Sequence, residues 1–352
     1  MQFTTKIPVQ KSRFPIDYDS KILLLGSCFA ENIGKKFEYF KFQSTTNPFG
    51  IIFNAVSLEK LIRRAVENKK FTEKDIFFHN ELWHCYEVHS ELSSPDKEDF
   101  LSKLNTVLAA TNQQISSLTH CIITLGTSWV YRNIESNEIV ANCHKVPQKQ
   151  FTKELLSISQ TEEILQNMIS LIHSVNPNCN FIFTVSPVRH IKDGFVENTL
   201  SKAHLITAIH SVLNQKFSTS LELTTQIQQR TIDSIQPITH NPSSITDNSS
   251  PIIYFPAFEI MMDELRDYRY YAEDMLHPNA IAIAYIWEQF VGSTCTEETK
   301  SIMNEIDTIQ KSLAHKPFHV ETESHQKFLV KLHQKIKEFK QLHPNIDFEY
   351  EQ

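Results

Sequence analysis

Four short runs of consecutive apolar residues punctuate the chain, each bounded by polar or turn-forming positions. They are KILLLG (Lys21 to Gly26), THCIITLG (Thr119 to Gly126), CNFIFTVSP (Cys179 to Pro187) and the shorter PIIYFP (Pro251 to Pro256). Runs of this length are too short for buried helices and suit strands covered on both faces. Between them the period changes to that of a helix. Phe100, Leu101, Leu104, Val107 and Leu108 share one face ahead of the second run. Ahead of the third, Ile164, Leu165, Met168, Ile169, Leu171 and Ile172 share another, with Thr161 expected as the N-cap and Pro177 as the far boundary. Strands alternating with amphipathic helices predict an α/β architecture of three layers around a parallel sheet.

Two regions fall outside this alternation. Residues 215–250 are polar, and the stretch QPITHNPSSITDNSS reads as a long loop or insertion. Beyond Thr294 the pattern is helical, and Phe328, Leu332, Ile336 and Phe339 form one apolar stripe with Leu329 and Leu342 beside it. A stripe of this kind packs on the domain or on a second subunit; Glu338 and the modest lysine count argue against a membrane-surface helix. The expected organisation is a catalytic domain over residues 1–295 and a C-terminal helical extension over 296–352.

Composition narrows the function classes. With 41% apolar and 21% charged residues among 352, the chain is that of an ordinary globular protein. Its net charge of −7, with no basic stripe, argues against a nucleic-acid partner. Six scattered cysteines without a CxxC pair point to neither zinc nor a disulfide framework. His84, His89 and His144 could meet only through tertiary folding, and a structural or substrate-facing role fits them better than a metal. No cofactor is implied. The opening twenty residues lack the apolar core of a signal peptide, and nothing later reaches the length of a membrane span. A chain with this native start is expected in the cytoplasm; an exported form trimmed of its leader is the alternative.

The first strand runs straight into Gly26, Ser27 and a helix with Phe29, Ile33 and Phe37 one turn apart. Gly26 permits a tight turn, and Ser27 stands where an N-cap belongs. A hydroxyl there also lies at the carboxyl edge of a sheet and the positive end of a helix dipole, a good position for a nucleophile. A nucleophilic serine needs a base, and the base an orienting carboxylate. Asp274 and His277, in AEDMLHP ahead of a helix starting near Asn279, have the spacing to supply both. Each element has a plainer reading: Ser27 as a cap, Asp274 as a cap in competition with Asn279, His277 as a turn histidine. Cys28, beside the same helix end, is an alternative nucleophile, although its side chain should point away from that of Ser27.

The segment GSCFA (Gly26 to Ala30) resembles the signature of the GSCFA domain family, which is similar to the SGNH (GDSL-like) hydrolases and PC-esterases. NPFGIIFN (Asn47 to Asn54), LGTSWVY (Leu125 to Tyr131), NCHKVP (Asn142 to Pro147), TVSPVRH (Thr184 to His190) and LRDYRYYAEDMLHP (Leu265 to Pro278) are similar to further blocks of that family, in the same order. The resemblance implies a flavodoxin-like, SGNH hydrolase-like sheet, Ser27 as nucleophile and Asp274 with His277 as its partners. It also implies an oxyanion hole formed by the Ser27 N–H, a glycine N–H and an asparagine side chain. Gly50 is the candidate glycine. Where Gly-x-Asn is expected this chain has Gly-Thr-Ser, so Thr127, Ser128 or Asn47 would donate instead. Trp129, His144, Arg189 and His190 fall in or near the blocks and are expected, with Asn47, to contact substrate. Arg189 would hold an anionic or sugar group, or pair with an acid such as Asp193. The expectation is a serine esterase acting on a short-chain acyl ester of a carbohydrate or other small molecule. Acyl transfer by the same triad and non-catalytic ligand binding are the alternatives, and the oligomeric state is left open.

Overall fold

The computed structural model describes residues 5–214, 251–315, 317, 319 and 321–348. The expected insertion at 215–250 lies outside the described residues. The chain runs through β1 (Lys21–Gly26), α1 (Cys28–Tyr39), β2 (Gln43–Thr46), α2 (Ala55–Val66), β3 (Phe77–His79), β4 (Leu82–His84) and α3 (Lys97–Ile115). It continues with β5 (His120–Leu125), β6 (Trp129–Asn133), β7 (Ile139–Val140), β8 (Phe151–Leu155), α4 (Ile158–Val175) and β9 (Asn180–Val185). Then follow α5 (Phe195–Asn214), β10 (Ile252–Phe255), α6 (Ala280–Thr294), α7 (Glu297–Leu313) and α8 (Glu323–Leu342).

The four apolar runs all enter one five-stranded parallel sheet, in the order β2-β1-β5-β9-β10. Alternation within each run explains why it reads as continuously apolar. Leu23, Leu25, Ile123, Leu125, Phe181 and Phe183 face a core shared with α2 to α5. Ile22, Leu24, Ile122 and Ile182 face the opposite core, shared with α1 and α6. Both faces of the sheet are covered, so beyond the first residues of β1 and β9 the central strands are buried whichever way a residue points. The three-layer α/β expectation holds. The fifth strand, β2, has the polar sequence QSTT and lies at the sheet edge, where only one side needs a partner. Because β1 connects outward to β2 before the chain crosses to β5, the strand order reverses between β1 and β5. In open α/β sheets the ligand crevice forms beside the carboxyl ends at that point.

One helix start differs from expectation. α4 begins after Ser157, which caps it reciprocally with Gln160, while Thr161 is buried and donates its hydroxyl to Ser157 O at 3.0 Å. The Ser-x-x-Gln capping box satisfies two amides and outcompetes a threonine one turn later. Two small antiparallel additions had no signal in the apolar pattern: the β3–β4 hairpin and the sheet β7-β6-β8. Val140, Val146 and Phe151 of the second pack with Phe77 and Tyr86 of the first region. The first is anchored to α2 by the buried Arg64, whose guanidinium meets Glu87 at 2.7 and 2.8 Å, Asp75 at 3.0 Å and two backbone carbonyls. The stripe of α8 packs on α7 and, with it, against Tyr18 and Phe40 of the α/β body; Leu342 is left exposed. Among the described residues, no helix is long and apolar enough to cross a membrane.

Arg64→Ala removes the shared cation and leaves Glu87 largely buried. Urea denaturation is expected to show a loss of about 3 kcal/mol, the low end for a broken buried pair, since Lys60 still reaches Glu87. A loss under about 1 kcal/mol would mean that the network is no more than a surface cluster.

Candidate active site

Gly26 ends β1 with φ +129°, and a Cβ there would lie 2.0 Å from the Thr124 carbonyl oxygen on β5. Only glycine lets the two strands stay paired to this point. Asn47 fixes the turn from behind: its Oδ1 accepts the Gly26 N–H at 2.8 Å, and its amide faces Glu31 at 3.4 Å. Ser27 follows in extended conformation and caps α1, its Oγ accepting the Phe29 N–H at 3.3 Å. The residue is fully buried. Its oxygen accepts, and among the described residues the hydroxyl proton has no acceptor, so it remains available to a base.

His277, the expected base, lies on the loop before α6. Asn279, rather than Asp274, caps that helix, accepting from Ile281 and Ala282 N–H, while its amide donates to Arg269 O at 2.6 Å and Tyr271 O at 3.3 Å. Asp274 is therefore free to orient His277. Its Oδ2 stands 2.5 Å from His277 Nδ1, and its Oδ1 accepts the N–H groups of His277 and Leu276 at 3.0 and 2.9 Å. Those backbone donors, with the imidazole, hold the Asp274 carboxyl down at about 2. With Nδ1 facing a carboxylate, the Nδ1–H tautomer is favoured and Nε2 is left to accept a proton. Both side chains are nearly half exposed.

Arg189 holds this loop. Its guanidinium donates to Met275 O and lies 4.9 Å from the Tyr271 ring centroid and 5.7 Å from that of Tyr268. Met275 adopts φ +59°, a left-handed conformation that a methionine keeps only when its surroundings impose it. The alternative pairing of Arg189 with Asp193 does not form, since Asp193 meets Lys153 at 2.6 Å. His190 donates its N–H to Asn198 at 2.9 Å and sets its ring edge-on to Phe53. Burial, then Lys202 and His277, push the His190 imidazole down to about 3, so it is neutral, and among the described residues its buried Nε2 has no partner.

Lys202 escaped the sequence reading. It is 1% exposed, and its ammonium donates to Gly126 O at 2.7 Å and Ser186 O at 2.8 Å, just past the ends of β5 and β9. Burial lowers it to about 7, opposed only by the nearby Cys28 thiol. The available signal was its place in α5: Lys202 shares the buried face with Leu205, Ile209 and Val212. Cys28 is partly exposed, and burial raises its thiol despite Lys202, which argues against a resident thiolate.

The expected oxyanion donors have partners within the fold. The Ser27 N–H donates to Thr124 O at 3.0 Å and the Gly50 N–H closes a turn onto Asn47 O at 2.7 Å. Ser128 is fully buried, its hydroxyl donating to Ser201 O at 3.1 Å, and Thr127 shares a bond with the Ser201 hydroxyl at 3.0 Å. Other expected substrate contacts also serve the scaffold. The Trp129 indole donates to Glu197 O at 3.1 Å. His144 lies in the antiparallel additions, with Nε2 at 2.7 Å from Cys85 O and its ring against His84; burial pushes it down to about 4. His84 itself is engaged by Ser93 and the His79 carbonyl. Among the described residues, no group of three or more His, Cys, Asp or Glu is arranged to hold a metal.

The sequence model described as the GSCFA family matches residues 21–221 and 239–290, well over half of the chain. This chain belongs to the GSCFA family. The model described as GSCFA domain protein, C-terminal domain, matches residues 306–352, which include α8 and most of its contact with α7. No curated protein matches the chain. The five residues from Gly26 to Ala30, which spell the GSCFA name, are thus the strand-to-helix turn at the point where strand order reverses.

Removing the clamp by Arg189→Ala is expected to free the Met275 turn while the cores stay intact. Asp274 should then titrate nearer the ordinary carboxylate value of 3.8, as read by carboxyl NMR, with Tm little changed. A titration that stays near 2 would show that the loop holds itself.

Proposed function

We propose that this GSCFA protein is a serine hydrolase of SGNH type acting on an acyl ester, with Ser27, His277 and Asp274 as its triad. The observation that carries the reading is the Asp274–His277 pair, on a loop tied through Arg189 to the carboxyl end of β9, the sheet edge at which Ser27 follows β1. In the reaction, His277 Nε2 takes the Ser27 proton as Oγ bonds to the ester carbonyl carbon. The alcohol leaves with that proton, and water then attacks the acyl-enzyme, again through His277, to release the acid. Asp274 keeps the ring in its tautomer and offsets the charge of the imidazolium. Tyr268 and Met275, exposed on the loop that carries His277, suit the acyl portion of such a substrate. A carbohydrate or other small hydroxyl compound would supply the alcohol, or the acceptor if the acyl group is transferred rather than hydrolysed.

The full burial of Ser27 favours a second reading, a ligand-binding module without turnover. Among the described residues no hydrogen bond joins Ser27 to His277; in the catalytic reading that bond forms when substrate binds.

Labelling with a fluorophosphonate probe separates the two. Wild type is expected to carry the adduct on Ser27, and Ser27→Ala and His277→Ala to carry none; folded but unlabelled wild type would establish the binding reading instead. Asp274→Asn should slow labelling by about 10⁴ with the fold unchanged, since the ring loses its enforced tautomer. The acid limb of the wild-type rate should follow a single proton. Asp274, held down at about 2, stays ionised across the mildly acidic range and contributes no proton to that limb. A second proton in that limb would assign Asp274 a different role.

A further inference from the structure

The reaction needs a donor for negative charge, and the groups expected to provide one are already bonded within the fold. Lys202 is placed differently. Its side chain reaches from α5 to the carboxyl edge of the sheet, where the Gly126 and Ser186 carbonyls take two of its hydrogens at 2.7 and 2.8 Å. An ammonium carries three donors in tetrahedral array, so one remains. The ring of Phe258 lies 5.8 Å from Nζ, and the electrostatic neighbours are Cys28, directly after Ser27, and His190, which in turn senses His277. Among the described residues no carboxylate pairs with it. A buried cation without a counter-ion is costly, and two carbonyls only partly offset that cost. An anion arriving beside Ser27 and Cys28 would complete both its charge balance and its third bond.

We propose that Lys202 is the anion-holding group of this site, its third N–H donating to the oxygen on which negative charge develops in the reaction and to the carboxylate of the released acid. The assignment of the reacting oxygen rests on the acyl-transfer reading of Ser27; the carboxylate site does not. The geometry also explains why a lysine occupies the apolar face of α5, where a leucine would pack more cheaply.

The test uses the full chain and two independent readouts. The first is the fluorophosphonate labelling rate of Ser27 in Lys202→Gln, whose amide keeps two donors for the carbonyls but loses the charge and the third donor, and in Lys202→Met. A fall of about 10²–10³-fold in both is expected, the usual effect of losing one oxyanion donor. Circular dichroism melting identifies the folded variant to be compared; Lys202→Gln serves if Lys202→Met is unfolded. Labelling of folded Lys202→Gln at the wild-type rate overturns the proposal, since a mere tie between β5 and β9 would change Tm and leave the rate alone. The second readout is titration of Ser27→Ala with acetate, following the Lys202 Cε resonance by ¹³C NMR. Saturable movement of that resonance, with a rise in the lysine titration midpoint, supports the proposal, and an unmoved resonance overturns it. Unlabelled wild type together with an acetate-sensitive Lys202 would retire the esterase reading and leave the anion site standing.

Discussion

The close approach of β1 and β5 at Gly26 is the constraint on which the rest of the site depends. The strands remain paired to Gly26 and Thr124, and the Thr124 carbonyl then accepts the Ser27 N–H at 3.0 Å. That leaves no room for a Cβ and turns the chain sharply into α1, so Ser27 is both the last residue tied to the sheet and the first to face the helix. Asn47 and the adjacent loop close the turn from the β2 side, and Phe53 accepts the Gly126 and Thr127 N–H groups from the β5 side. A shift of any of these elements would move the serine. The serine is therefore fixed from the sheet side, and His277 comes from a separate loop.

That loop is built to hold a high-energy shape. Met275 has a left-handed backbone, Asp274 gathers two amides and an imidazole, and Arg189 grips Met275 O while stacking on two tyrosines. The cation does not neutralise an acid; it uses a carbonyl and aromatic faces instead, which leaves Asp274 to His277. Around the sheet edge the remaining buried polar groups are basic or neutral. Lys202 adds to burial in pushing the neighbouring His190 toward its uncharged form.

Residues of the family blocks also serve the scaffold. NPFG and NCHKVP belong to the family pattern, yet the Gly50 N–H closes a turn and His144 packs among aromatic rings beside Cys85 O. His144 belongs to the wall that Arg64 anchors to α2, while Asn47 of NPFG holds the Gly26 N–H at the Ser27 turn. A motif marks a place that the fold needs, and a buried turn or a satisfied histidine needs particular residues as strictly as a substrate does.

The apolar pattern by itself determined the four central strands, the helices between them, the helical C-terminal stripe and the Gly26–Ser27 turn, because burial on both faces and the steric demand of the turn are local properties. The residue types and three-residue spacing of Asp274 and His277 likewise marked a pair that one short loop can form. The polar edge strand β2, the start of α4 and the antiparallel additions were decided by competition among hydrogen bonds and by long-range packing, which no local periodicity records. Tertiary structure alone decided that Ser128 is tied to α5, that Asp193 meets Lys153 instead of Arg189, and that Lys202 lies under the sheet edge. A hydrogen bond or an ion pair depends on which distant atoms arrive within about 3 Å, and only the folded chain determines that.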